Sequence, residues 1–286
     1  MNVKKLIRGK QLTDKQAEKL KTKFVNESNF DTLIDYDCDA YDNYGNLLFK
    51  FRKNILSKKT LKLGYESFKG SIVKNVGRGV AAGGYITTGK FDISPEVTSG
   101  NVGYMDARPG NLDYCRLTSF GRQYFDSFQS GLPFVEMIDY YYSKLCPIHY
   151  KKQKTVADAT NRNYIIGNTA FTTVTVNKTF RTAVHKDTGD FRDGFGNLIV
   201  YNDGSYEGGY FVLPQYKLAI DVQTTDALFV DVHQWHGNTE MKLRKGFDEI
   251  FRISFVLYYR ENMYKCKQPS EQLKKIKIKK NGYLTL

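Results

Sequence analysis

Apolar and polar positions along the chain change their period about halfway. In the first half, Thr13 with Gln16 forms a capping box that opens a short basic helix from Asp14 to about residue 24. Residues 30–75 alternate enough to suggest strands, two of them joined by a turn at 43–46. Residues 101–120, with Arg108-Pro109 and Arg116-Leu-Thr-Ser-Phe120, read as loop then strand. From 134 to 145, Phe134, Met137, Ile138, Tyr141, Tyr142 and Leu145 fall at helical spacing and stop before Pro147. An aromatic stripe of this kind is core.

After Tyr164 the period drops to two. Strands are expected at 170–177 and at 184–187. A turn at 194–197 leads to 198–201, and a Gly208-Gly209 break to 210–213, which Pro214 ends. Further strands follow at 216–222, 228–232 and 252–259. The stretch 251–259 is apolar on both faces, which places it centrally in a sheet. Many short strands separated by turns make a barrel or jelly roll. With the helical segments ahead of it, the chain is α+β. Lys and Ile alternate over 274–280, giving a basic edge strand or tail.

With 286 residues the chain can bury a large core, and it reads as one domain over 1–286. Residues 1–160 read as helical and strand support and the contact region for a polyanion such as DNA, 161–262 as the core that carries the candidate chemistry, and 263–286 as a basic tail. Lys+Arg 43 against Asp+Glu 30 leaves a net +13, which suits a polyanionic partner and equally a soluble, Lys-rich chain. The four cysteines show no CxxC spacing, so no disulfide framework is expected and a reduced compartment follows. The N-terminal stretch has no signal-peptide core and no run reaches membrane-spanning length. The expectation is a cytoplasmic monomer: in a bacterial host if phage-encoded, in the nucleus if eukaryotic.

Histidine is scarce, and three of the four occur at 185, 233 and 236. His185 and Asp187 sit two apart, on one face of a strand. A distal histidine after the 228–232 strand would complete the two-histidine, one-carboxylate set of non-haem Fe(II) oxygenases. His236, followed by the small Gly237, fits that role, leaving His233 to the surroundings of the site; His149 reads as structural or exposed. Arg252 and Ser254 share a strand face and can grip the far carboxylate of a 2-oxo acid. The run Gly77-Arg78-Gly-Val-Ala-Ala-Gly-Gly84 lacks the strand, turn, helix and acidic residue of a dinucleotide fingerprint. It reads either as an Arg78-bearing loop beside a site that admits an anionic polymer, or as a flexible connection.

Asn177, His185-Lys-Asp187-Thr-Gly-Asp190, Gly208-Gly-Tyr-Phe-Val-Leu-Pro214, Asp226-Ala-Leu-Phe, Trp235-His236-Gly-Asn-Thr239 and Arg252-Ile-Ser254 occur in that order. Together they resemble the TET/JBP family of Fe(II)- and 2-oxoglutarate-dependent nucleic-acid dioxygenases, in its compact phage and algal form. The resemblance covers 161–259, with weaker echoes at 78–83 and 145–153. The long inserts and cysteine-rich zinc elements of animal TET proteins are missing. The resemblance implies a double-stranded β-helix (jelly-roll, cupin-like) with Fe(II) on His185, Asp187 and His236. It implies 2-oxoglutarate on Arg252 and Ser254, with O2 as co-reactant, although an ascorbate-type cosubstrate stays open. Asn177 and Arg78 are the expected substrate contacts. The expected partner is methylated DNA with a flipped base, and the expected reaction takes 5-methylcytosine to 5-hydroxymethylcytosine. Thymine is the nearest rival substrate. A zinc-binding or non-catalytic cupin-like DNA-binding protein is the alternative of another class.

Overall fold

A computed structural model describes residues 3–87, 91–107, 112–272 and 274. Arg108-Pro109 and the Lys/Ile repeat beyond Lys274 lie outside them. The first half builds β1 (Lys4–Ile7), α1 (Asp14–Glu18), β2 (Thr32–Ile34), β3 (Cys38–Tyr41), β4 (Leu47–Arg52) and α2 (Lys58–Phe68). It continues with β5 (Val73–Asn75), β6 (Tyr85–Thr87), β7 (Phe91–Ile93), β8 (Val97–Met105) and β9 (Arg116–Leu117). Four helices follow: α3 (Ser119–Gln123), α4 (Phe125–Ser130), α5 (Leu132–Leu145) and α6 (Pro147–Ala159). The second half is strands: β10 (Thr173–Lys178), β11 (Gly196–Asn202), β12 (Tyr206–Gly208), β13 (Phe211–Leu213) and β14 (Leu218–Ile220). The last are β15 (Ala227–Val230), β16 (Gly237–Asn238), β17 (Met241–Leu243) and β18 (Arg252–Tyr258).

Among the described residues, the large sheet runs β1-β3-β4-β15-β11-β18-β10-β8-β5, with β9 on β8. A smaller sheet, β16-β13-β14-β2, faces it. The two sheets and the jelly-roll connections between them make the double-stranded β-helix. β18 lies inside the large sheet, between β11 and β10, as its two-sided apolar pattern requires. Its alternation assigns the faces. Ile253, Phe255 and Leu257 join the helical core, where Phe134 of α5 meets Phe255 with ring centroids 4.9 Å apart. Arg252, Ser254, Val256 and Tyr258 point the other way, into a cavity between the sheets.

Several elements differ from the sequence reading. The helix begun by the Thr13–Gln16 capping box ends at Glu18, well short of residue 24. Within 30–75, α2 interrupts the strands; Ser57 caps it, and one face buries Leu61, Gly64 and Phe68. Pro147 ends α5 but also occupies the first turn of α6, where its missing N–H costs nothing. Residues 101–120 run in the reverse order, strand first, then loop, β9 and α3. The expected strand at 184–187 is an isolated bridge, His185 with His236.

The cysteine expectation is corrected too. Cys115 and Cys266, 151 residues apart, form a disulfide, while Cys38 and Cys146 are buried thiols. A bridge this distant leaves no local spacing to read. Among the described residues, no helix is long and apolar enough to cross a membrane.

Candidate active site

Two short backbone ladders bring the histidines together. His185 N–H donates to the His236 carbonyl at 2.9 Å and His236 N–H to the His185 carbonyl at 3.0 Å. Asp187 N–H donates to Val232 O at 3.0 Å. A Cβ on Gly237 would lie 3.1 Å from the backbone of 182–184, so this approach favours glycine after His236. The two imidazole centroids are 4.3 Å apart, and Phe211 stacks on His236 at 5.2 Å.

Each imidazole is oriented from behind by a carbonyl. His185 Nδ1 faces Ala183 O at 2.8 Å and His236 Nδ1 faces Gln234 O at 2.9 Å. A carbonyl only accepts, so each Nδ1 carries a proton and the two Nε2 atoms are the ones left for a metal. They point at Asp187: His185 Nε2 lies 3.4 Å from Oδ1, and His236 Nε2 lies 3.6 Å from Oδ2. One ligand atom from each residue falls within 4.8 Å of the others, so the three can hold one metal ion. Burial works against ionisation of Asp187, but the two imidazoles outweigh it and hold its carboxyl well below the usual range. Burial likewise opposes a charged His185, and Asp187 outweighs it, raising the imidazole. A bound cation would take over the role of these protons.

His233 stands outside this group. Its Nδ1 lies 3.3 Å from Asp231 Oδ1 and its Nε2 3.3 Å from Asp190 O. His149 stacks on Phe195 at 4.0 Å, away from the site.

The cavity over the cluster measures about 460 Å³. Arg252, 4% exposed, lines it, and its Nε has no hydrogen-bond partner. A buried guanidinium left incomplete beside three metal-ligand candidates fits a bound carboxylate. Ser254 and Asn177 are register partners on β18 and β10, and Asn177 Nδ2 donates to Ser254 Oγ at 3.4 Å. Arg78, on the glycine-rich loop, donates from Nη2 to Asn177 Oδ1 at 3.3 Å. That loop is one turn of 3-10 helix over Gly79–Ala82, closed by Gly83 at φ +79°. All seven residues singled out from the sequence therefore line one cavity.

Others went unnoticed. Asp190 and Arg260 pair through a single backbone bridge at the cavity wall, and Arg260 Nε donates to Asp106 at 2.7 Å. Burial, reinforced by Asp187, pushes the Asp190 carboxyl well above its usual range. Asp106 lies 154 positions before Arg260, beyond any local pattern. Asp190 did stand in the motif run, which was the only signal for it.

A two-histidine, one-carboxylate cluster and a buried arginine inside a double-stranded β-helix define an oxygenase of the Fe(II)- and 2-oxoglutarate-dependent class. Within it, the chain belongs to the Tet/JBP family, the oxygenase domain of the 2OGFeDO superfamily, whose model matches residues 101–261. Membership implies Fe(II), 2-oxoglutarate and O2 as cofactors. Thymine dioxygenase JBP1 of Trypanosoma brucei brucei is 30% identical over 94% of this chain, which covers 32% of that protein. The bifunctional helicase and thymine dioxygenase JBP2 of Trypanosoma cruzi is 32% identical over 89% of this chain and 22% of its own length. The chain thus spans a third or less of these relatives. The solved structure of NgTET1 in complex with 5mC DNA superposes with TM-score 0.62 over 97% of this chain and 91% of that one. Its identity is 16%, so the likeness is one of fold.

Proposed function

We propose that the protein is a DNA dioxygenase that hydroxylates the 5-methyl group of a pyrimidine, with His185, Asp187 and His236 as iron ligands. The observation that carries this reading is the unpaired Nε of buried Arg252 in the same cavity as the three ligand candidates. When bound, Fe(II), 2-oxoglutarate and O2 supply the oxidation, one oxygen entering a C–H bond while 2-oxoglutarate leaves as succinate and CO2. The chain supplies the geometry. Arg252, with Ser254 beside it, fixes the far carboxylate of the cosubstrate, and Phe211 and the flanking carbonyls hold the imidazoles still. A methyl group in the major groove cannot reach a cluster set between two sheets, so the base must leave the stack, at a cost of a few kcal/mol.

Thymine is the base we put first. Arginine only donates, so Arg78 pins the Asn177 oxygen toward itself and leaves the amide N–H groups toward Ser254 and the cavity. A fixed donor suits the O4 carbonyl of thymine and opposes the amino group of cytosine. The relatives at 30% and 32% identity carry thymine-dioxygenase names, which supports the same choice. 5-Methylcytosine, the base that the resemblance to phage-type members of the family implied, is the second reading.

Nucleoside mass spectrometry tests this. Unmethylated and 5-methylcytosine-containing duplexes are incubated with enzyme, Fe(II), 2-oxoglutarate and air. The expected product is 5-hydroxymethyluracil from both. Hydroxymethylcytosine alone, from the methylated duplex, would transfer the reading to cytosine. No oxidised base from either, with 2-oxoglutarate consumed, would remove DNA as the substrate.

A further inference from the structure

A second, larger cavity of about 970 Å³ lies on the neighbouring strand β8 and has no part in the chemistry above. The two share a face of the sheet. Ser254, Asn177 and Ser99 are successive register partners across β18, β10 and β8, so their side chains project the same way. Ser254 and Asn177 line the metal cavity, whereas Ser99 lines the second one. β5 pairs with β8 at Val97–Ser99 and β9 pairs with it at Tyr104 and Met105. Between these pairings, Gly100 and Asn101 line the second cavity. It therefore begins one strand away from Asn177 and runs along β8.

Its lining has a definite chemistry. Tyr114 and Tyr124 contribute rings, Tyr124 being 50% exposed, while Phe120 and Tyr104 pack into the core beneath. Arg122 contributes charge, Arg116 being engaged by the Asp106 and Tyr114 carbonyls, and among the described lining residues none is acidic. Arg122 is held by Leu117 O at 2.8 Å and Ser119 Oγ at 3.2 Å. Ser71, 5% exposed, lines the cavity with an Oγ that has no partner. Cations, aromatic faces and neutral polar groups, without carboxylates, match a strand that is anionic along its backbone and flat at its bases.

We infer that this cavity is a track for the target strand, holding the unpaired nucleotides that flank the target base once the duplex has opened around it. The inference rests on the reading that the substrate is a base in DNA. It adds where the strand runs once the base has left the stack: along β8, over the tyrosines, with its phosphates toward Arg122.

The test is binding of fluorescein-labelled oligothymidylate, read by anisotropy without iron or 2-oxoglutarate. Arg122→Glu is expected to weaken binding tenfold or more, with Arg122→Gln intermediate. The slope of log affinity against log salt should fall by about one for the lost phosphate contact. Tyr124→Ala, an exposed change that spares the core, should weaken binding severalfold. An oligonucleotide with 5-iodouracil beside the target should photocrosslink to peptides containing Tyr114 or Tyr124. Wild-type affinity in both Arg122→Glu and Tyr124→Ala, or crosslinks confined to peptides outside the cavity, would overturn the track. The two readings fail separately. If no base is oxidised while these variants lose affinity, the substrate reading falls and the track stands. Normal oxidation with unchanged binding would do the reverse.

Discussion

At the scale of single residues, the site makes sharp demands. His185→Ala, Asp187→Ala and His236→Ala each remove one of three ligand atoms that lie within 4.8 Å of one another. Each should abolish Fe(II) binding, measured anaerobically by calorimetry, and turnover with it. His233→Ala should keep iron, because its ring is engaged by Asp231 and the Asp190 carbonyl instead. Arg252→Ala should leave iron binding intact and raise the KM for 2-oxoglutarate by about two orders of magnitude. That follows from the few kcal/mol lost when a buried charged partner is removed. These residues were legible in the sequence because metal and carboxylate binding tolerate few residue types. Arg260 and Asp106 were not, since an ion pair across 154 positions leaves no trace in spacing, and Asp190 showed only as part of the motif run.

At the scale of elements, the cavity depends on strands that alternate and on breaks that stop them. Gly208 separates β12 from the turn into β13 with φ +81°, and a Cβ there would stand 2.2 Å from Glu240 O. Gly208→Ala should therefore lower stability by about 1–3 kcal/mol, read by urea denaturation. Wild-type stability would mean that the β12–β17 pair is free to shift. Strand β18 was legible because its two faces meet two different environments, helices on one side and the cavity on the other. Helix α2 was not, because its exposed lysines interrupt an apolar stripe only 11 residues long. The 184–187 segment alternates like a strand, yet only His185 pairs, since Asp187 turns to meet Val232 O.

At the scale of the whole molecule, long-range ties were hidden from the sequence. The Cys115–Cys266 bridge fastens the segment after β18 to the one before β9. Cys115→Ser/Cys266→Ser should cost about 2–5 kcal/mol, as for a crosslink closing a long loop. Unchanged denaturation under oxidising conditions would show that the bridge contributes nothing. The order of the large sheet, in which β15, β11, β18 and β10 gather the site from a span of more than 80 residues, likewise follows from packing alone. This assembly is expected to couple 2-oxoglutarate breakdown to oxidation of a pyrimidine methyl group. Parallel counts of succinate and hydroxymethyl base under ¹⁸O2 test it most directly. One labelled oxygen should appear in succinate and one in the base product, with the two formed in equal amounts. Succinate accumulating without a labelled base would contradict it.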